Sequence, residues 1–345
     1  MNINININDH KNIINLQVLN NFHLDSYTDS YISDGFCIFT SINDILYLIY
    51  SNNNNSIIAY DLNNTQKICE ITNAHEDYIS SFKHILDKNQ KKDLLISISY
   101  ECNYLKLWDI KNFELLCYIK DIYSDGFLFC AHFLLEQNKN KNNLYILTSN
   151  CNFSLSSGPI KKFNLKGEHI DIINKSEGLD VFYLTDFYDS IIEKQFLVAT
   201  IKRSIISFDL ENNQVYKSYS EDNSHFHFNI IINKEDKEGI IKLIESSDDG
   251  MIRIWDFHKV KLLCKINVSS YWLFGMCLWD NEYILVGDGD TGIKLVDLLK
   301  GKIMNQLPDI KGRIITIKKI KLKHYGDCLI TQRYLKGGIK LWIKN

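Results

Sequence analysis

Short stretches in which apolar and polar residues alternate, each closing on an aromatic side chain and an acid, recur along the chain. The two sharpest are Leu105-Lys106-Leu107-Trp108-Asp109-Ile110 and Ile252-Arg253-Ile254-Trp255-Asp256-Phe257. Alternation with a period of two puts successive side chains on opposite faces, the signature of a strand. Weaker copies are Ile57–Leu62, Ile160–Leu165, Ile205–Leu210, Ile293–Leu298 and Ile339–Ile343. The aligned positions are Tyr60, Trp108, Phe163, Phe208, Trp255, Val296 and Trp342, at steps of 41 to 55 residues.

Each copy reads as the third strand of a group of four. An apolar run precedes it, as at Leu94–Ser99, Gln195–Thr200 and Cys328–Gln332, and a further run lies before that one. A fourth follows, as at Lys67–Ile71, Leu115–Ile119 and Lys261–Ile266. The Asp after the aromatic, with polar residues behind it, is turn chemistry leading into that fourth strand. No stretch carries a convincing 3.6-residue period, so the chain reads as all-β. A repeat near 40–45 residues with four strands is a propeller blade. The expected fold is one seven-bladed β-propeller over 1–345, each blade a four-stranded antiparallel sheet. The blades fall near 27–72, 73–122, 123–173, 174–219, 220–269, 270–309 and 310–345, with 1–12 outside them. Trp279-Asp280 repeats the dipeptide but follows Met276-Cys277-Leu278, where a first strand turns into a second. The seventh group ends on its third strand, and an unpaired edge is a liability. The partly alternating stretch 13–19 is expected to supply the missing outer strand and close the ring.

These segments resemble the third strand of WD repeats, the G-protein beta-subunit-like β-propeller family, over nearly the whole chain. Two copies match well and five are degenerate. The resemblance implies binding on the faces and rim of a closed ring. It also implies a hydrogen-bonded His–Ser/Thr–Asp–Trp set within a blade. Blade two offers His75, Ser97 and Trp108, with Glu101 near the acid's place but one residue further from its Trp than Asp249 is from Trp255. Blade five offers Asp249 and Trp255, with His225 or His227 as weaker histidines. Its second-strand position falls on Glu245, or on Ser247 if the register slips. Blade six keeps Asp290 but has Val296 for the Trp. In the family this set staples strands together, and no GxSxG supports a hydrolase reading.

Composition narrows the function classes. Of 345 residues, 45% are hydrophobic and only two are proline, so there is ample core and no Pro-rich linker. The charge, 39 Lys and Arg against 42 Asp and Glu, lacks the strongly basic footprint of a nucleic-acid binder. Met1–His10 does not read as a secretory leader, and no run is long enough to span a bilayer. The nine cysteines show no CxxC and no zinc spacing, and read as small buried hydrophobes in a reducing compartment. A cytoplasmic location follows, with cytoskeletal or ciliary association as one version. No phosphate loop or metal set is visible, so no cofactor and no metal are expected.

The expected role is therefore a non-enzymatic scaffold or adaptor whose partners are other proteins. Partner-binding candidates sit in loops leading into first strands (Tyr123, Phe226, His227, Tyr271, Trp272) and in loops between second and third strands (Arg203, Arg333, Tyr334), because aromatics and Arg dominate interface hot spots. Trp272 and Phe274 read equally as surface anchors or as plugs between blades. The basic stretch Lys318–His324 reads as a solvated edge, and Asn138–Asn143, Asp87–Lys92 and Asn233–Glu238 as solvated loops. One narrower version is the substrate-recognition subunit of a ubiquitin ligase. Such propellers carry Trp-Asp-x-Arg, where this chain has Lys111 and His258. An enzyme using the central channel would need acids or histidines at first-strand starts that are mainly apolar here.

Overall fold

The computed structural model describes residues 16–26, 35–99, 103–120, 122–124, 127–138, 141–151, 158–173, 180–201, 203–221, 225–234, 239–289, 292–307, 312–334 and 338–344. The described residues form 28 strands in seven four-stranded antiparallel sheets, arranged as a seven-bladed β-propeller. In chain order, β1 is Leu16–Leu24. Blade one is β2 Phe36–Thr40, β3 Leu46–Ser51, β4 Ile57–Asp61 and β5 Gln66–Ile71. Blade two is β6 Ile79–Asp87, β7 Lys92–Ser99, β8 Tyr104–Asp109 and β9 Glu114–Ile119. Blade three is β10 Phe127–Asn138, β11 Lys141–Cys151, β12 Lys161–Phe163 and β13 His169–Ile172. Blade four is β14 Val181–Asp189, β15 Lys194–Ile201, β16 Ser204–Asp209 and β17 Gln214–Tyr219. Blade five is β18 His227–Asn233, β19 Lys242–Ser247, β20 Met251–Asp256 and β21 Lys261–Asn267. Blade six is β22 Leu273–Leu278, β23 Tyr283–Asp288, β24 Ile293–Asp297 and β25 Lys302–Leu307. Blade seven is β26 Ile314–Leu322, β27 Gly326–Arg333 and β28 Ile339–Lys344, completed on its outer edge by β1. The chain groups into two compact units, blades one to four and blades five to seven with β1.

The seven alternating copies all fall on the third strand of a blade. Second strands are buried throughout, as in β7 and β15, and so read as continuous apolar runs. Within each unit the core lies between neighbouring blades. Leu94, Ile96, Leu105 and Leu107 of blade two pack with Leu128, Phe133, Ile146 and Phe163 of blade three. Trp279, Leu285 and Leu295 of blade six pack with Ile317, Leu329 and Trp342 of blade seven. Trp279 accordingly serves the interblade core. It starts the turn from β22 to β23, where Asp280 accepts from the amides of Glu282 and Tyr283, both at 2.9 Å.

The third and fourth strands share a device that periodicity does not reveal. In blades one to six the register shifts immediately before the aligned aromatic position, between Ala59/Tyr60, Leu107/Trp108, Lys162/Phe163, Ser207/Phe208, Ile254/Trp255 and Leu295/Val296. Each shift leaves one extra residue on the outer strand, a β-bulge that deepens the twist. The acid after the aromatic then caps the following turn. Asp109 accepts from the Lys111 amide, Asp209 from Glu211 and Asp256 from His258.

β1 pairs antiparallel with β28, Leu16 with Lys344 and Val18 with Trp342, so the N-terminal strand closes the seventh blade. It runs past the expected 13–19 as far as Leu24; 13–15 lie outside the described residues. Asn138–Asn143 is not simply a solvated loop. β10 and β11 pair up to Asn138 and Lys141, the cross-strand ladder extending through this polar sequence.

Candidate functional site

Polar side chains are buried inside the blades, among them a Ser beside a His, the pairing found in hydrolases. In blade two the register sets Leu95 opposite Trp108 and Ser97 opposite Lys106. Ser97 Oγ accepts from Trp108 Nε1 at 2.8 Å and lies 2.7 Å from Nε2 of His75, which comes from the loop before β6. His75 stacks on Tyr104, with ring centroids 5.0 Å apart. Burial, and then the charge of Lys106, push the His75 imidazole down to about 3, so it is neutral. Ser97 has no solvent exposure and its oxygen is occupied by the indole, so no substrate reaches it. The trio ties a loop to two strands and satisfies three buried polar groups.

Blade seven carries a counterpart that was not anticipated. Trp342 Nε1 donates to Thr331 Oγ1 at 3.0 Å. Leu329 faces Trp342 and Thr331 faces Lys340, the same register as in blade two. A Ser or Thr eleven residues before the aromatic, common to both pairs, is the signal that would have found it.

A second regularity concerns the position two residues before the aromatic. It holds a cation in five blades: Lys106, Lys161, Arg253, Lys294 and Lys340. Three of these donate to a carbonyl in the loop entering their own blade: Lys106 to Ala74 O at 2.6 Å, Lys294 to Val268 O at 2.7 Å, and Lys161 to Ile122 O. Lys294 also lies 3.2 Å from the buried Asp288 carboxylate. In blade five Arg253 is 2% exposed. Its Nη1 donates to Ser247 Oγ at 2.7 Å, its Nη2 meets Asp249 Oδ2 at 2.5 Å, and Glu245 faces it across the strands. Burial raises the Asp249 carboxyl, but hydrogen bonds from Arg253 and Ser247 outweigh it and hold it at about 2. Asp249 thus serves Arg253, not a His–Ser–Trp set around Trp255. In blade six, Asp290 lies outside the described residues, as does Glu101 of blade two.

The surface feature that stands out lies at the end of blades six and seven that carries the loops entering first strands and joining second to third strands. There a cleft of about 410 Å³ is lined by Tyr271, Trp272, Phe274, Gly289 and Arg313. Tyr271 and Trp272 are 45% and 46% exposed, whereas Phe274 is buried. Trp272 therefore acts as a surface aromatic and Phe274 as the plug beneath it. Phe228, Trp272 and Phe274 form a ring cluster with centroids 5.1 to 5.9 Å apart. The loop carrying the two exposed rings is fixed from below. Gly250 O accepts from the amides of Val268 and Ser269 at 3.0 and 3.1 Å. Gly250 has φ +74°, and a Cβ there would fall 1.8 Å from Ser269 O, so only glycine lets the loop seat this closely. Ser269 Oγ donates to Asp288 at 3.0 Å and accepts from the Tyr271 amide at 3.1 Å. On the blade-seven side, Tyr334 N donates to Arg313 O at 3.0 Å, and the Arg313 guanidinium lies 5.6 Å from the Tyr334 ring centroid.

The other candidates scatter. Arg203 is exposed and Phe226 is half-buried against Phe182. Two candidates, Tyr123 and His227, are instead buried. Tyr123 is 4% exposed because its hydroxyl donates to Thr148 O at 2.7 Å inside blade three, and His227 is 3% exposed at the start of β18. Neither presents a ring to a partner. In the basic stretch, Lys319 donates to Trp279 O at 2.7 Å and lies 3.1 Å from Asp327, while Lys321 and Lys323 are exposed. The eight described cysteines are free thiols. Among the described residues no group of three or more His, Cys, Asp and Glu side chains could hold a metal ion. Among the same residues no helix is long and apolar enough to cross a membrane.

No family model matches the chain. The U3 small nucleolar RNA-associated protein 21 homolog of Schizosaccharomyces pombe is 28% identical over 100 residues, which is 29% of this chain and 11% of that protein. The chain therefore spans only a small part of the curated relative it matches. The crystal structure of Chaetomium thermophilum Raptor is similar with a TM-score of 0.64 at 16% identity, covering 94% of this chain and 30% of that one. At that identity the likeness is one of fold.

Proposed function

We propose that this propeller is a non-enzymatic scaffold of the WD-repeat type that docks a partner protein on the aromatic cleft of blades six and seven. The observation that carries this reading is the pair of exposed rings, Tyr271 and Trp272, on a loop seated rigidly over Gly250. Large apolar side chains held open to water on a fixed support lose little conformational entropy on binding, the condition for a hot spot. The buried, occupied Ser97 in blade two supports a structural role for its His–Ser–Trp set, and function has to be argued from a site rather than from the fold. The partial likeness to a protein named for its association with the U3 small nucleolar RNA fits an interaction role. The proposed location is cytoplasmic, from the free thiols of the described cysteines.

The test is a tagged full-length chain and its Trp272→Ala variant, each recovered from native extract under mild conditions. Trp272→Ala is expected to weaken a stoichiometric partner by about 30-fold, the factor corresponding to a hot-spot loss of about 2 kcal/mol. Recovery of the wild-type chain alone, or of the same partner at equal yield by both chains, would overturn the proposal.

A further inference from the structure

The cation position of blade seven departs from its neighbours. In blade six, Lys294 lies opposite Val286, and two residues on from Val286 stands Asp288, the carboxylate that pairs with it. In blade five, Arg253 lies opposite Glu245, and two residues on stands Ser247, which accepts from Nη1. In blade seven, Lys340 lies opposite Thr331, and two residues on stands Arg333. A guanidinium occupies the place where blade six has a carboxylate. Among the described residues neither Arg333 nor Lys340 has a side-chain hydrogen bond or ion pair, and Arg333 Nε is buried with no acceptor. Burial lowers the pKa of both groups, and the charge of Arg333 lowers that of Lys340 further. Cations withdrawn from water are ordinarily paired, so two half-buried cations at neighbouring positions of one blade, with no acid between them among the described residues, point to a missing anion.

The surroundings say what kind of anion. Arg333 lies opposite Ile314 in the β26–β27 pairing, next to Arg313, which lines the aromatic cleft. Arg313 thus lines the cleft beside Tyr271 and Trp272, and Arg333 and Lys340 stand at the same end of blade seven. The nearby Asp288 is already engaged by Lys294 and Ser269. The chain as a whole carries a net charge of −3, so this is a local excess rather than part of a basic surface. A nucleic acid would need a longer track of cations for its phosphates. A cleft of about 410 Å³ with an aromatic wall accepts one or two side chains, and an Arg fork matches a carboxylate.

We propose that Arg333 and Lys340, with Arg313, form an anion subsite that takes the Asp and Glu carboxylates of an acidic peptide segment of a partner protein, while an apolar side chain of that segment packs on Trp272. This subsite rests on the interaction reading above. The test is selection on the purified full-length chain from a random phage library of peptides about 12 residues long, long enough to carry an acid and an apolar anchor in any order. Selected peptides are expected to carry Asp or Glu beside an aromatic or aliphatic residue. They should bind the folded Arg333→Gln/Lys340→Gln chain at least about tenfold more weakly, and weaken between about 50 and about 300 mM salt. Without peptide, the double variant should melt above the wild type, because the repulsion between two half-buried cations is gone. The subsite is overturned if no acidic peptide is enriched, if the double variant binds such peptides equally, or if it melts below the wild type. It is also overturned if single-stranded oligouridylate binds more tightly than any selected peptide. Loss of binding with Trp272→Ala but not with the double variant would sink the subsite and leave the interaction reading standing. Loss with neither would sink both.

Discussion

Replacing Ser97 by alanine removes one oxygen from the centre of blade two. That oxygen accepts from the Trp108 indole at 2.8 Å and meets His75 Nε2 at 2.7 Å, and the site has no solvent exposure to supply a replacement. Two polar groups are left buried without a partner, at about 1–3 kcal/mol each. The expected loss is about 2–6 kcal/mol, the cavity left by one oxygen adding little. Unfolding entropy of about 2.1 cal/mol/K per residue over 345 residues converts that to a Tm lower by about 3–8 °C. Urea unfolding followed by tryptophan fluorescence and far-ultraviolet circular dichroism gives the loss directly, provided the slope with urea is unchanged. Trp108→Phe sharpens the measurement. Without the indole N–H, one orphan disappears, so Ser97→Ala in that background should cost about 1–2 kcal/mol less than in the wild type. A single variant within about 0.5 kcal/mol of the wild type, or strictly additive variants, would refute the reasoning that this hydroxyl satisfies both neighbours.

Two further outcomes follow. Folding holds His75 neutral to about pH 3, while the unfolded chain takes up the proton near its ordinary value of about 6.5. The stability this lends is complete above pH 7 and falls by about 2 kcal/mol on acidification from pH 7.5 to 5; titrating urea midpoints of the wild type and His75→Gln should show a flatter profile for the variant. Arg253→Met removes the cation that Asp249 pairs with inside blade five, so it should cost about 3–5 kcal/mol at pH 7 and less at pH 4, where the Asp249 carboxyl, no longer held down by the guanidinium, can take up a proton. Equal losses at the two pH values would show that the arginine matters only for packing.

The propeller was legible because its governing signals are local. Alternation over five or six residues marks each third strand, and the spacing of Tyr60, Trp108, Phe163, Phe208, Trp255, Val296 and Trp342 counts the blades. The residues that matter most for the site were less legible, because they depend on cross-strand register. Whether Arg253 meets Asp249 and Ser247, or Arg333 takes the place of Asp288, follows from which residues face each other, not from periodicity. Exposure misled in a similar way. Tyr123 and Tyr271 both sit in loops entering first strands, yet the first turns its hydroxyl inward to Thr148 while the second is lifted outward by the loop seated on Gly250.

The pairing of β1 with β28 has a kinetic consequence. Every other pairing described in blades five to seven joins strands close in the chain, so it closes a short loop and can form early. Val18 meets Trp342 across more than three hundred residues. Contacts of that separation are entropically the slowest to form, so the outer edge of the seventh blade should be the last part of this unit to acquire its protection against hydrogen exchange. During synthesis β1 emerges first and must wait for the strand it pairs with. Until then the Trp342 strand has a free hydrogen-bonding edge, and the newly made chain is most exposed to chaperones and to mispairing while that edge stays open.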